Sequence, residues 1–203
     1  MKRTQKYAIL LGFGLVALLS TAPTQAQDPL PTRANSAKSA AQSGDTPAHD
    51  AQRRAALLLS GYHDIPAKSV FDAKLDAPQK VLMEFARDPS ILPLQRQRAL
   101  EALAYYADAE VEALYRDLLQ DKMAAELMRH RVMPLLATRF PKSALPVLKP
   151  FLGHADLQFR LSAIGAIGQI PGAGAQQALQ AAAKSEAHPV AQKRLAKLLR
   201  VAR

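Results

Sequence analysis

Apolar side chains beyond residue 51 return at helical spacing rather than in strand-like alternation. The clearest run, Val111, Leu114, Tyr115, Leu118 and Leu119, follows i, i+3, i+4, i+7, i+8 and marks one face of an amphipathic helix. The same spacing returns in Ala144, Leu145, Leu148, Phe151 and Leu152, then in Ala175, Ala178, Leu179 and Ala182, and again in Ala191, Leu195, Leu198, Leu199 and Ala202. No Val/Ile/Thr-rich alternation separates these runs, so the pattern predicts helix after helix and an all-α fold.

A longer period lies over the helical one. RALEALAYY begins at Arg98, RVMPLLATR at Arg131, RLSAIGAIG at Arg160 and RLAKLLRVA at Arg194, so successive starts are offset by 33, 29 and 34 along the chain. Recurrence at roughly 30 residues predicts stacked two-helix units, none of which buries its apolar face alone. In the unit from Asp156 to Ala183, Asp156 is the expected N-cap of a first helix carrying Arg160, Ala163, Ile164 and Ile167. Gly168 is expected at a left-handed helix stop, and Pro171-Gly172-Ala173-Gly174 at the turn into the second helix. Small residues at Ala163, Gly165 and Ala166 leave room for a neighbouring helix. Pro134 falls inside a first helix as a kink, and Pro146 is expected in a first turn. Near the beginning, Gly61 should stop one helix, Tyr62 pack down and Pro66 start the next. The last helix, from about Pro189, reads as a half-repeat cap with no helix after it.

The segment D-L-Q-F-R-L-S-A-I-G-A-I-G resembles the first helix of a HEAT repeat, with the same Asp, Arg, small residue and terminal Gly. The likeness is good over Asp156 to Ala183, moderate over Leu94 to Leu119 and Leu127 to Leu152, and weak before Asp88. LLLSGYHDIP and APQKVLMEFARD resemble the atypical first unit of small exported bacterial HEAT-like proteins. This resemblance implies a right-handed α-solenoid of stacked antiparallel helix pairs, an armadillo-type superhelix of about four units. The W-x-x-L-G-x-x-Y pattern of tetratricopeptide repeats is absent.

Charge changes the picture at both ends. The 203 residues include 27 Lys+Arg and 17 Asp+Glu, a formal net charge of +10. Lys2, Arg3 and Lys6 precede the apolar run from Ala8 to Leu19, which has signal-peptide length, and Thr24-Gln25-Ala26 offers a cleavage site. The expected organisation is a signal peptide over 1–26, a disordered linker over 27–50 and a helical repeat domain over 51–203. The protein is then periplasmic or secreted, with an uncleaved anchor as the alternative. Removing 1–26 lowers the charge to +7. From Lys184 to Arg203 there are six basic residues and one acidic one, so most of the remaining excess sits at the C-terminal end.

No catalytic constellation emerges. The absence of Cys removes thiolate metal sites and a Cys nucleophile. His49, His63, His130, His154 and His188 form no i, i+4 metal motif. Ser60 and Ser162 lack the glycines of a nucleophile elbow, and GAIGQIPGAG follows a helix and has no Gly-Lys-Ser/Thr. Without aromatic residues among the basic ones, a single-strand nucleic-acid surface is not expected. The expected function is a non-catalytic adaptor or scaffold for a protein partner, using no cofactor and no metal. Its candidate contacts on second helices are Glu112, Tyr115, Arg116, Lys149 and Gln177. Lys193, Lys197 and Arg200 are candidates for an anionic envelope surface, an acidic protein or a polyanionic polymer. Arg98, Arg131, Arg160 and Arg194 are expected to tie repeats together through carbonyls or acidic neighbours. The alternative is a lyase-like or chaperone-like HEAT protein acting on a bound substrate around His63 and Asp64.

Overall fold

Ten helices and no strand form among the described residues, 47–61 and 64–201 of a computed structural model, all within the unit Asp45–Arg203. The expected signal peptide, the linker as far as residue 46, and Tyr62 and His63 lie outside the described residues. The helices are α1 (Pro47–Leu59), α2 (Lys68–Lys74), α3 (Pro78–Arg87), α4 (Pro93–Leu103), α5 (Ala109–Gln120), α6 (Glu126–Arg139), α7 (Pro141–Leu148), α8 (Leu157–Ile167), α9 (Ala173–Ser185) and α10 (Pro189–Val201).

Local chemistry sets several of these boundaries. Proline opens α3, α4 and α7, where its missing N–H has no intrahelical partner to lose. Asp108 accepts from the N–H groups of Glu110 and Val111, and Asp156 from those of Gln158 and Phe159, so each carboxylate satisfies two free donors at a helix start. Other expectations need correction. Residues 47–50 are helical rather than linker, and the second helix starts at Lys68 rather than at Pro66. Pro146 lies inside α7, because Pro141 takes its first turn. Gly168 has right-handed geometry (φ −62°), and Gly172 (φ +105°) is the glycine that carries the chain through a left-handed turn.

The helices fall into two sets. Helix α4 packs on α1, α6 on α4, α8 on α6 and α10 on α8, while α3, α5, α7 and α9 each lie against the helix that follows. Equivalent core positions in the first set are Ala99, Val132, Ala163 and Leu195, all fully buried. In the second set they are Leu82, Tyr115, Leu148 and Leu179, also buried. The buried positions of the first set are therefore offset by 33, 31 and 32 along the chain, not by 33, 29 and 34, and the register reaches back into α3.

That register sorts the arginines into two columns. Arg96, Arg129, Arg160 and Gln192 occupy one position, and each binds main-chain carbonyls N-terminal to its own helix. Arg96 donates to the Ala86 carbonyl (3.2 Å), Arg129 to Leu119 (3.1 Å), Arg160 to His154 (2.8 Å) and Ala155 (2.9 Å), and Gln192 to Glu186 (2.7 Å). Ala86 and Leu119 lie in the last turns of α3 and α5, where carbonyls lack intrahelical donors. Arg98, Arg131, Ser162 and Arg194 occupy the second position, facing what precedes them in the stack. Arg98 donates to the Asp64 carbonyl (3.2 Å), Arg131 pairs with Glu101 (2.9 Å), and Ser162 meets His130 (3.0 Å). Arg194 lies over Gly165, where an added Cβ would collide with its guanidinium. Arg160 thus belongs with Arg96 and Arg129, not with Arg98 and Arg131.

Candidate functional site

Among the described residues a concave feature lies between α3 and α5. One cavity of 620 Å³ is lined by Ala77, Pro78, Gln79, Lys80, Met83, Glu84 and Arg87 on the α3 side and by Tyr106 and Glu110 on the other. A second, of 370 Å³, is lined by Arg87 and Pro89 at the end of α3, by Arg96 on α4, and by Leu114, Asp117, Leu118, Asp121 and Met123 on α5 and the loop after it. Arg87 lines both, so the two adjoin at its side chain and together are the α3/α5 cleft.

Side-chain ties hold the upper end of this cleft. The Gln79 amide donates to the Asp108 carboxylate (2.8 Å), joining α3 to the start of α5. The Val111 N–H, the Gln79 amide and the Glu110 N–H together hold the Asp108 carboxyl below the usual carboxylate range. Tyr106 donates to Asp72 (2.7 Å), and the Lys68 ammonium lies 4.5 Å from the Tyr106 ring centre. Lys68 bonds the same carboxylate (2.7 Å) and, with Tyr106, keeps the Asp72 carboxyl low. Burial pushes the Tyr106 hydroxyl up, and its bond to Asp72 adds to the shift, so it stays a neutral donor.

The floor of the cleft is apolar and its rim carries both signs of charge. Met83, Leu114 and Leu118 are buried beneath it, while Lys80, Glu84, Arg87, Glu110 and Asp117 are exposed around it. At the lower end Met123 is 92% exposed, and Leu92, Leu94 and Leu127 stand more than half exposed in the neighbouring loops and helix starts. The cleft thus combines an apolar floor, a charged rim and exposed apolar side chains nearby.

The predicted contact residues scatter. Tyr115 is a correction: it is fully buried and its hydroxyl donates to the Leu100 carbonyl (2.7 Å), so it is a core residue and not a contact. Glu112 is half-buried and pairs with exposed Arg116 (3.3 Å). Arg116 and Lys149 sit at equivalent positions of successive units, and both are exposed, as is Gln177 on α9. None of these five lines the α3/α5 cleft. Lys193, Lys197 and Arg200 are exposed along α10. Arg87, Met83 and Tyr106 escaped the sequence reading. The recurrence of Arg96 at Arg129 puts α4 in register with α6, and so α3 with α5, but carries no sign of the gap between them.

A second polar cluster lies where α8 meets α6. The rings of His130 and His154 stand 4.2 and 4.4 Å from that of Phe159, with the Arg129 guanidinium 4.5 Å from the same ring. His154 Nδ1 accepts from the Asp156 N–H (3.1 Å), and His130 Nδ1 is 3.0 Å from Ser162 Oγ. Burial lowers the proton affinity of His130. No carboxylate among the described residues hydrogen-bonds this Ser/His pair, so it lacks the group that orients a catalytic base. No set of three or more acids and histidines among the described residues could hold a metal ion, and no described helix is long and apolar enough to cross a membrane. No protein-family model matches the chain, and no curated protein matches it either.

Proposed function

We propose that this chain is an exported HEAT-like α-solenoid that works without catalysis as a docking scaffold for a partner protein in the cell envelope. The carrying observation is the α3/α5 cleft, two adjoining cavities with a shared Arg87, an apolar floor and a rim of mixed charge. The recurrence of buried positions in register from α4 to α10, and the packing of α4, α6, α8 and α10 each on its predecessor, support the solenoid reading and its division into a repeat domain. The right-handed superhelix is the hand the HEAT resemblance implies. Export rests on the signal-peptide pattern of residues 1–26.

A pre-formed cleft binds with little reorganisation, which leaves more of the contact energy as affinity. The test is a photoreactive residue placed at Arg87, at Asp117 or, as a control, at Lys142 on α7, in cells producing the full chain. One partner of the same mass should crosslink from positions 87 and 117 and not from 142. Adducts that are absent from the cleft, or equal at all three positions, contradict the proposal.

A further inference from the structure

We infer that the outer face of α10 is a second docking surface, independent of the α3/α5 cleft, and that its occupant is an acidic helical segment of a partner polypeptide. In α4, α6 and α8 one position holds Leu100, Met133 and Ile164, all buried; in α10 it holds Ala196, which is exposed. Gln97, His130 and Leu161 share a second position and Glu101, Pro134 and Gly165 a third. Through these two positions α4 meets Arg131, α6 meets Ser162 and α8 meets Arg194. At the same two positions α10 carries Lys193 and Lys197, both exposed. Arg200 follows one turn on and, among the described residues, bonds the Ala196 carbonyl of its own helix (3.2 Å).

Lys193, Lys197 and Arg200 therefore stand on one helical stripe, about 6 and 10 Å along from the first, fixed by the packing of α10 on α8 and α9. Elsewhere Lys68, Arg116, Arg131 and Arg160 each have a carboxylate within 4 Å. No acidic residue occurs in α10, and none of its cations has a carboxylate partner among the described residues. Inside the stack this face receives the next helix, so its shape is that of a helix-packing surface. Its charge selects an incoming helix with carboxylates at matching turns. A lipid surface fits less well, because an interfacial helix needs large apolar side chains beside its basic ones. Here the exposed apolar side chains on the stripe are Val190 at its start and Ala196, with no Leu, Phe or Trp among them, while Leu198 and Leu199 turn instead to the cavity against α9.

The test is fluorescence anisotropy of the full-length protein with a synthetic Ala-rich helical peptide carrying glutamates at i, i+4 and i+7. The combined variant Lys193→Glu, Lys197→Glu, Arg200→Glu should bind at least roughly tenfold more weakly than wild type, three surface charge pairs having become repulsive. Lys74→Glu, Lys122→Glu, Lys142→Glu makes the same change in net charge at exposed sites elsewhere and should bind within about threefold of wild type. Affinity should also fall as salt rises. The competing probe is a vesicle of phosphatidylcholine and phosphatidylserine in a roughly two-to-one mixture, which attracts basic side chains through its surface charge. Equal losses in the two variants, no peptide binding by the wild type, or tighter binding to these vesicles than to the peptide would each overturn the inference. Circular dichroism establishes that both variants remain folded.

Discussion

Replacing Tyr115 with Ala should destabilise the protein by about 4 kcal/mol, the range measured for emptying a buried aromatic site. Tyr115 is among the largest fully buried side chains, and its ring meets Phe140 edge-on at 6.1 Å. Its hydroxyl, which burial keeps neutral, donates to the Leu100 carbonyl near the end of α4. Tyr115→Phe keeps the ring and loses only that bond, so it should cost about 1 kcal/mol. Urea unfolding followed by circular dichroism measures both, with an unchanged slope for Tyr115→Phe. If Tyr115→Ala were as stable as wild type and lost partner binding, Tyr115 would be a contact residue after all.

Arg160→Ala should cost about 3 kcal/mol, because it removes one member of a nearly buried ion pair and strands the other. Arg160 Nε lies 2.9 Å from Glu186 Oε2, with only 7% of the Glu186 side chain exposed, and the same guanidinium bonds the carbonyls of His154 and Ala155. Burial pushes the Glu186 carboxyl up, but the His188 N–H and the Arg160 guanidinium outweigh it and hold the group below its ordinary 4.5. The pair therefore contributes its full stability above about pH 4.5 and loses it as pH falls through the lowered native value. Without Arg160 only burial and the His188 region act on Glu186, so the variant should lose less on acidification, and its deficit against wild type should shrink below pH 4.5. A deficit that stays constant between pH 7 and pH 4 would show that the lost carbonyl bonds, not the ion pair, account for the cost.

Much of the architecture was legible where local chemistry decides it. Asp156 caps α8 as its position before an apolar run predicts, and the face Val111, Leu114, Tyr115, Leu118 and Leu119 is the buried face of α5. That same periodicity puts Tyr115 on the buried face, among core residues and not among contacts. The arginine register slipped by two residues at Arg160, because Ala- and Leu-rich helices look alike when aligned on a shared Arg. Buried positions such as Ala163 against Val132 resolve the slip. The cleft was not legible, because it depends on the distance between α3 and α5, which are far apart in sequence and tied by Gln79 and Asp108. No short motif encodes such a gap. The basic end was visible in the charge count, but only the register showed that Lys193 and Lys197 replace the residues through which α4 and α8 receive their neighbours.

Both proposed surfaces require an open array whose successive second helices step along one direction. Arg116, Lys149 and Gln180 share one repeat position and are exposed, and the chain contains no native Cys to compete with introduced labels. Spin labels on cysteines placed pairwise at these three sites measure the steps directly. With helices packed roughly 10 Å apart, an open array predicts about that separation for 116 to 149 and about twice it for 116 to 180, allowing for label length. A 116 to 180 distance equal to or shorter than the single step would mean that the helices close into a bundle, and would contradict the array.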